Sequence, residues 1–159
     1  MSEISIYTDG SAIGNPGNGG YGIVMISGKH RKEISQGFRL TTNNRMELLS
    51  VIVALESLKS ENNSVTIYSD SQYVVNSVEK RWVFGWVKKN FKNKANADLW
   101  KRFLKIYPSQ KTKLVWIKGH SVNIENNRCD ELAVAAAKGK NLLVDEFYEA
   151  NQKEDEGMF

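Results

Sequence analysis

The chain has 159 residues, a hydrophobic fraction of 41% and a formal net charge of +4, which predicts one ordinary globular domain. No apolar run approaches the roughly 18 residues of a membrane span, and no signal-peptide pattern opens the sequence. The single cysteine, Cys129, cannot form an internal disulfide, so we expect a cytoplasmic protein with a structural thiol rather than a membrane or disulfide-stabilised secreted protein.

The first third of the chain predicts three strands and a helix. Ser5–Thr8, Tyr21–Ile26 and Glu33–Leu40 have the composition of β-strands. From about Asn43 to Leu58, apolar residues recur at helical spacing.

The middle and the end of the chain alternate strands with helices. We predict strands over Val65–Ser69 and Lys113–Ile117, and helices over Ser71–Val78, about Asp98–Ile106 and Ile124–Lys138, the last stopped by Gly139. The order β-β-β-α-β-α-α-β-α predicts an α/β fold with a mixed sheet, antiparallel first and parallel later, covered by helices.

Charge is distributed unevenly. Residues 141–159 contain six acidic residues against Lys153, a net charge of −5, so residues 1–140, with 21 basic against 12 acidic residues, have a net charge of +9. A basic body predicts a polyanionic partner, and solubility alone is the alternative explanation. The tail after Asn141 shows no clear period, and we expect its acidic end, about 145–159, to be mobile.

A glycine-rich stretch between the first two strands matches a dinucleotide-binding fingerprint by letter, Gly17-Asn18-Gly19-Gly20-Tyr21-Gly22. A strand follows it where the fingerprint requires a helix, and the chain has no P-loop lysine motif, which argues against a nucleotide cofactor. We expect these glycines to let the backbone approach a sugar-phosphate strand closely.

Four carboxylates stand in separate short motifs: Asp9 in Tyr7–Ser11, Glu47 in Thr41–Leu48, Asp70 in Tyr68–Gln72 and Asp130 in Arg128–Ala133. Each has a structural alternative, as a hairpin turn, a capping-box acid, a helix N-cap and a solvated charge respectively. Together they match what two hard divalent cations require, because such ions take oxygen ligands and clamp a phosphodiester for in-line attack.

A basic aromatic segment covers Lys80–Lys94. It contains six lysine or arginine residues, no acid, and four aromatic residues, Trp82, Phe84, Trp86 and Phe91. This combination is typical of phosphate contacts combined with apolar packing against sugars, and we expect Phe84 to join the core.

From about Ile4 to Ala137 these motifs, together with Lys118-Gly119-His120, resemble a type 1 ribonuclease H of the bacterial branch. The resemblance implies a single domain over residues 1–159 with a five-stranded ribonuclease H-like mixed sheet and a basic protrusion at about 80–94. It also implies an endonuclease that hydrolyses the RNA strand of RNA–DNA hybrids by two-metal-ion catalysis, leaving 5′-phosphate and 3′-hydroxyl ends. Two Mg²⁺ ions per site with substrate, replaceable by Mn²⁺, and a monomeric state are implied as well.

The same resemblance assigns roles to residues. Asp9 bridges both metals, Asp130 helps to bind the nucleophile-side ion, Glu47 and Asp70 bind the leaving-group-side ion, and His120 acts near the attacking water or in product release. Substrate contacts are implied as follows: Gly10 and Asn15 with Glu47 at 2′-hydroxyls, Asn43 and Gln72 at base edges, Thr42 and Asn44 at a DNA phosphate, Trp82 and Trp86 at sugars, and Lys88, Lys89, Lys92 and Lys94 at phosphates.

The chain departs from the family pattern in two places. Ser121–Ile124 lacks the glycine, second histidine and proline often seen there, and Val134 stands where arginine is common. Neither departure touches the predicted metal ligands. The rival interpretations are a hybrid-binding module without turnover, whose expected signature is a missing acid, and another nuclease of the same fold, such as a transposase or Holliday-junction enzyme, in which the His120 motif and the basic aromatic segment are not expected together.

Overall fold

The computed structural model describes residues 2–119 and 123–157, with side chains described up to residue 152. The strands of the described part are β1 Glu3–Ala12, β2 Gly17–Ser27, β3 His30–Thr41, β4 Ser64–Ser69, β5 Lys111–Trp116 and β6 Leu142–Leu143. Its helices are α1 Asn43–Glu56, α2 Gln72–Glu79, α3 Trp82–Lys88, α4 Ala97–Ile106, α5 Ile124–Lys138 and α6 Glu146–Gly157, with a 3-10 turn at Tyr107–Ser109. None of the helices in these ranges is long and apolar enough to cross a membrane.

The strands form one mixed sheet in the order β5-β4-β1-β2-β3-β6. Strands β1, β2 and β3 are antiparallel neighbours, whereas β1–β4, β4–β5 and β3–β6 pair in parallel. The predicted change from antiparallel to parallel pairing is confirmed. The sheet gains a sixth strand, because the two residues of β6 pair with Gly37 and Phe38 at the edge of β3.

Helices cover both faces of the sheet. Helix α1 packs on β1 and β2, and α5 packs on β1, β2 and β3. Successive residues of a strand point to opposite faces, so Ile23 belongs to the main core under α1, whereas Gly22 faces α5. A side chain at Gly22 would meet the backbone of Cys129 at 2.3 Å, so glycine is what lets α5 lie close to the sheet.

The glycine-rich stretch is mostly strand. Strand β1 continues to Ala12 and β2 begins at Gly17, which leaves only residues 13–16 as the connection. At Gly20 and Gly22 the backbone that approaches closely is that of helix α5. The expectation that these two glycines serve a nucleic-acid strand is therefore wrong.

The basic aromatic segment contains helix α3, which periodicity did not predict. Its buried residues are Val83 and, after the helix, Phe91, which is 7% exposed. Phe84 is only partly buried and packs against the core through Tyr107, with ring centroids 5.7 Å apart. The expectation that Phe84 is the core aromatic is thus wrong, and Phe91 takes that place.

The chain after Asn141 has regular structure despite its lack of a local period. Strand β6 and helix α6 lie there, and helix α6 contacts β3. Asp145, just before α6, is buried and bonded to Arg45 and Thr41. The mobility of the acidic end stays a prediction. Gly139 ends α5 in an extended conformation, with φ −76°, rather than in a left-handed one.

Candidate active site

Three of the four predicted carboxylates converge at the carboxyl ends of two parallel strands. Asp9 is near the end of β1 and Asp70 directly follows β4, and their preceding residues, Thr8 and Ser69, are partners in the parallel ladder. Glu47 comes from the second turn of α1. One carboxylate oxygen from each of these three residues lies within 4.8 Å of the other two.

The backbone of β1 brings Glu47 next to Asp9. A side chain at Gly10 would lie 2.4 Å from the Met46 carbonyl carbon and 2.5 Å from the Glu47 nitrogen. Only glycine permits this approach of strand and helix. The Gly10 N–H also donates to Asp9 Oδ1 at 2.9 Å, which orients the carboxylate.

The structural alternatives for these three acids are excluded. Strand β1 runs past Asp9, so that residue is in no hairpin turn. Thr42 caps α1, accepting from the Arg45 N–H, and this places Glu47 beyond the capping-box position. The N-cap of α2 is Ser71, which accepts from the Val74 N–H, so Asp70 does not cap that helix.

Asp130 faces the same pocket from α5 but remains exposed. It lies outside the tight cluster formed by Asp9, Glu47 and Asp70. The pocket measures about 480 Å³ and includes all four acids. Asp130 is close enough to contribute repulsion at Asp9.

The cluster holds unbalanced negative charge. Burial, with repulsion from Asp70, raises the pKa of Asp9 to about 8, and burial together with the charges of Asp9 and Asp70 raises the pKa of Glu47 well above its usual range. Glu47 Oε1 is buried and accepts a hydrogen bond from no described residue. Because ionised carboxylates only accept, these oxygens repel one another unless a proton, a hydrogen-bond donor or a cation lies between them. An all-oxygen, acidic donor set fits hard divalent cations.

Amide side chains line the pocket beside the acids. Of the residues predicted to contact nucleic acid, Gly10, Asn43, Asn44 and Gln72 line this pocket. Asn43 Oδ1 accepts from the Ala12 N–H at 2.6 Å, which leaves its amide nitrogen as a donor toward the pocket. Asn15 and Thr42 lie instead in an adjoining cleft that shares Asn43 and Asn44 with the pocket.

Among the described lining residues, neither cleft includes a residue of the basic segment; Ala95, which follows the segment, lines the second cleft. The predicted phosphate-binding lysines, Lys88, Lys89, Lys92 and Lys94, are all exposed. Trp82 is 47% exposed. Trp86 is half-buried, its ring edge-on to Trp100 with centroids 5.8 Å apart and Lys94 Nζ 5.1 Å from its centroid.

His120 lies outside the described residues, as do Ser121 and Val122. The residue before it is described: a side chain built at Gly119 would lie 3.1 Å from Asp70 Oδ2. The chain therefore passes directly beside the acidic cluster immediately before His120.

Sequence reasoning missed several residues of the two clefts. Asn126 and Asn127 line the acidic pocket from the first turns of α5; Asn126, four residues before Asp130, could have been found from that helical spacing. Asn96, in the left-handed conformation with φ 63°, and Tyr148 line the adjoining cleft. Tyr148 gives no sequence signal because the tail has no period.

Known proteins resemble this chain over nearly its whole length. The family model described as RNase H matches residues 1–138. A ribonuclease H of Desulforamulus reducens is 54% identical over 150 residues, covering 91% of this chain and 94% of the relative. LC9-RNase H1, a type 1 RNase H with the type 2 active-site motif, superposes with a TM-score of 0.80 at 30% identity, covering 94% of this chain and 80% of that one. LC11-RNase H1, solved in complex with an RNA/DNA hybrid, superposes with a TM-score of 0.59 at 28% identity, covering 84% and 96%.

Proposed function

The chain belongs to the ribonuclease H family, and on that premise we propose that it is an endonuclease that hydrolyses the RNA strand of RNA–DNA hybrids. The observation that supports this most directly is the convergence of Asp9, Glu47 and Asp70, with one oxygen of each within 4.8 Å of the others, in a pocket whose other lining residues are mostly polar. A hybrid-bound relative, LC11-RNase H1, has the same fold. An intact set of acids argues against a binding module without turnover.

We assign the metal site to Asp9, Glu47, Asp70 and Asp130, with two Mg²⁺ ions bound alongside substrate and Mn²⁺ able to substitute. Such a pair of ions supplies a water of lowered pKa on one side of the phosphate and charge stabilisation for the departing 3′ oxygen on the other, which yields 5′-phosphate and 3′-hydroxyl products. Asp9 interacts with the other three carboxylates and is held by the Gly10 N–H, so it would be the ligand shared by the two ions. Asp130, which lines the pocket from α5 and is exposed, would help to bind the nucleophile-side ion.

The remaining pocket residues position the substrate. The RNA strand is distinguished by its 2′-hydroxyls, which are contacted by Glu47 and by backbone groups near Gly10 and Asn15. Asn43 and Gln72 reach base edges without demanding a sequence. His120 acts close to the attacking water or in product release, a role consistent with the passage of Gly119 beside Asp70.

The DNA strand lies toward α1 and the basic segment. Thr42 and Asn44 contact one of its phosphates, and the lysines at positions 88, 89, 92 and 94 contact others through charge. Trp82 presents nearly half of its surface for packing against a deoxyribose, whereas Trp86 offers less because it packs against Trp100.

The decisive experiment compares end-labelled RNA–DNA hybrid, double-stranded RNA and double-stranded DNA, each incubated with protein in Mg²⁺ or in EDTA. We expect cleavage of the RNA strand of the hybrid alone, at internal positions and only with Mg²⁺, and product ends that a 5′-phosphate-dependent exonuclease can degrade. Asp70→Asn is the inactive control. Binding of hybrid without cleavage would favour the binding module, and cleavage of branched or duplex DNA would favour another nuclease of this fold.

We also propose that the enzyme acts as a cytoplasmic monomer. All four carboxylates come from one chain and share one pocket, so no second copy is needed to complete the site. The only thiol, Cys129, is buried, contacts the Tyr7 carbonyl oxygen at 3.2 Å, and has its pKa raised by burial, as fits an inert structural thiol. Light scattering coupled to gel filtration tests the monomer; a dimer mass at micromolar concentration would contradict it.

A further inference from the structure

A second cleft adjoins the acidic pocket and is walled partly by the C-terminal helix. It measures about 480 Å³ and is lined by Asn15, Thr42, Asn43, Asn44, Ala95, Asn96 and Tyr148. Tyr148 is on α6, which follows the region matched by the family model, residues 1–138. The match to the family model therefore does not account for the presence of this helix at the cleft.

The side chains of this cleft are arranged as hydrogen-bond donors. Asn15 Oδ1 accepts from the Asn43 N–H at 3.0 Å, and Thr42 Oγ1 accepts from the Arg45 N–H at 3.2 Å. The Tyr148 hydroxyl oxygen accepts from Gln152 Nε2 at 2.8 Å. With these oxygens engaged, the groups left to face a ligand are the Asn15 amide N–H groups and the Thr42 and Tyr148 O–H groups. A cleft rich in donors fits a phosphate, which offers only acceptors.

One buried guanidinium fixes the walls of the cleft relative to each other. Arg45, 3% exposed, bonds Asp98 at 2.7 Å, Asp145 at 2.7 Å and Asn96 Oδ1 at 3.3 Å. It therefore joins α1 to the start of α4 and to the residue that precedes α6. Asp145 also accepts from the Tyr148 N–H at 3.4 Å, which connects the position of Tyr148 directly to Arg45.

Two acidic residues close to Tyr148, Asp145 and Glu149, are already neutralised. Asp145 pairs with Arg45, and Glu149, next to Tyr148, forms two hydrogen bonds of 2.9 Å with Arg39. The exposed lysines Lys92 and Lys94 come just before Ala95 at the other wall. These two carboxylates therefore carry little unbalanced negative charge toward a phosphate at Tyr148.

From these contacts we propose that helix α6 is part of the substrate-binding surface, with Tyr148 donating its phenolic O–H to a phosphate oxygen of the DNA strand in this cleft. The inference rests on the proposed function, which places the DNA strand at Thr42 and Asn44. The contact requires no charge on Tyr148 and no contact with the metal site, so it contributes to binding and leaves the chemical step alone.

Tyr148→Phe tests the proposal, because it removes the hydroxyl and keeps the ring and the helix. Tyr107→Phe, the same change on the 3-10 turn outside the cleft, is the matched control. Kd for a hybrid is measured by fluorescence anisotropy in EDTA, and kcat and KM in Mg²⁺. We expect Tyr148→Phe to raise Kd and KM by about tenfold, the effect of one hydrogen bond to a charged group. Its kcat and salt dependence should match wild type, since no charge is lost. Its Tm should fall only slightly, by the loss of the hydrogen bond from Gln152.

A substrate series locates the contact. Single neutral methylphosphonates are placed at successive positions of the DNA strand and, separately, of the RNA strand. At one position of the DNA strand, the methylphosphonate should weaken binding to the wild-type protein. At that same position it should not weaken binding to Tyr148→Phe any further, because the variant already lacks the contact. An unchanged Kd for Tyr148→Phe, or coupling to an RNA-strand phosphate, would overturn the proposal. The binding arm runs without turnover, so it tests Tyr148 even if wild type fails to cleave the hybrid, an outcome that would refute the proposed function instead.

Discussion

Replacing Asp9 with asparagine should abolish Mg²⁺-dependent hybrid cleavage and stabilise the metal-free protein. Asp9 is 7% exposed, and its pKa is raised from 3.8 to about 8 by burial and by repulsion from Asp70. A folded-state pKa above the unfolded value means that the ionised carboxylate destabilises the fold. The fold is most stable with respect to this group below about pH 4, where the carboxyl is protonated in both states, and that stability is lost as pH rises to about 8, the folded-state pKa. Asparagine has nearly the same shape and no charge.

The size of the gain follows from that pKa. A rise of about four units corresponds to roughly 6 kcal/mol for the ionised group at high pH, at 1.4 kcal/mol per unit. The buried amide keeps a desolvation cost, and the bond from the Gly10 N–H weakens when its acceptor is neutral, so we expect a net gain of about 1–3 kcal/mol. For a chain of this size that is a rise in Tm of about 3–10 °C.

Thermal unfolding in EDTA at pH 9 and pH 5.5 checks this reasoning. The advantage of Asp9→Asn should be largest at pH 9 and shrink at pH 5.5, where the wild-type carboxyl is protonated in the folded state. Asp130→Asn removes the same charge from an exposed position and should change Tm little. A Tm for Asp9→Asn several degrees below wild type at pH 9 would show that Asp9 is structural, and a difference independent of pH would refute its electrostatic origin.

Three further predictions concern the basic segment, His120 and Arg45. Replacing Lys88, Lys89, Lys92 and Lys94 with alanine should raise KM and reduce the slope of log KM against log salt by roughly 0.7–0.9 per lost contact, with kcat near wild type at low salt. Replacing four other exposed lysines, Lys29, Lys59, Lys138 and Lys140, should change neither KM nor the slope. An unchanged slope in the first variant would show that the segment is a solvated face that does not bind the substrate. His120→Ala should lower kcat with little change in hybrid affinity, and an unchanged kcat would remove the histidine from the mechanism. Arg45→Leu should cost about 3–5 kcal/mol in the free energy of unfolding by leaving buried carboxylates unpaired. Arg102→Leu, which breaks the exposed pair with Glu56, should cost under about 1 kcal/mol, and equal costs would refute the distinction.

The strands and the acidic site were predictable because their determinants are local. Asp9 lies near the end of β1 and Asp70 directly follows β4, and the composition of both strands identifies them. The parallel pairing of those strands brings the two acids together. The C-terminal elements were not predictable from pattern. Strand β6 has only two residues. The start of α6 is fixed by the salt bridge in which Arg45 donates to Asp145, a residue 100 positions away in sequence.

The structure of the basic segment could not be predicted for a different reason. Its backbone takes left-handed conformations at Arg81, Asn90, Phe91 and Asn93. These turns interrupt any regular period, so neither helix α3 nor the burial of Phe91 could be read from spacing. Which aromatic residue joins the core depends on how these turns orient each ring. Composition predicts only that some of the aromatic residues are buried.

The first turns of α1 show how stability and function divide between neighbouring residues. Arg45 and Glu47 are two positions apart on one helix and both are buried, at 3% and 8% exposure. Arg45 is satisfied by two carboxylates and an amide oxygen, so its burial joins α1 to α4 and to the residue before α6. Glu47 Oε1 accepts nothing from the described residues, so its burial costs stability until a cation arrives. Residues two apart on a helix point about 160° away from each other at 100° per residue, and this separates the paired charge from the unpaired one. The fold can therefore tolerate an unbalanced metal site because a balanced ion cluster on the other side of the same helix holds that helix in place.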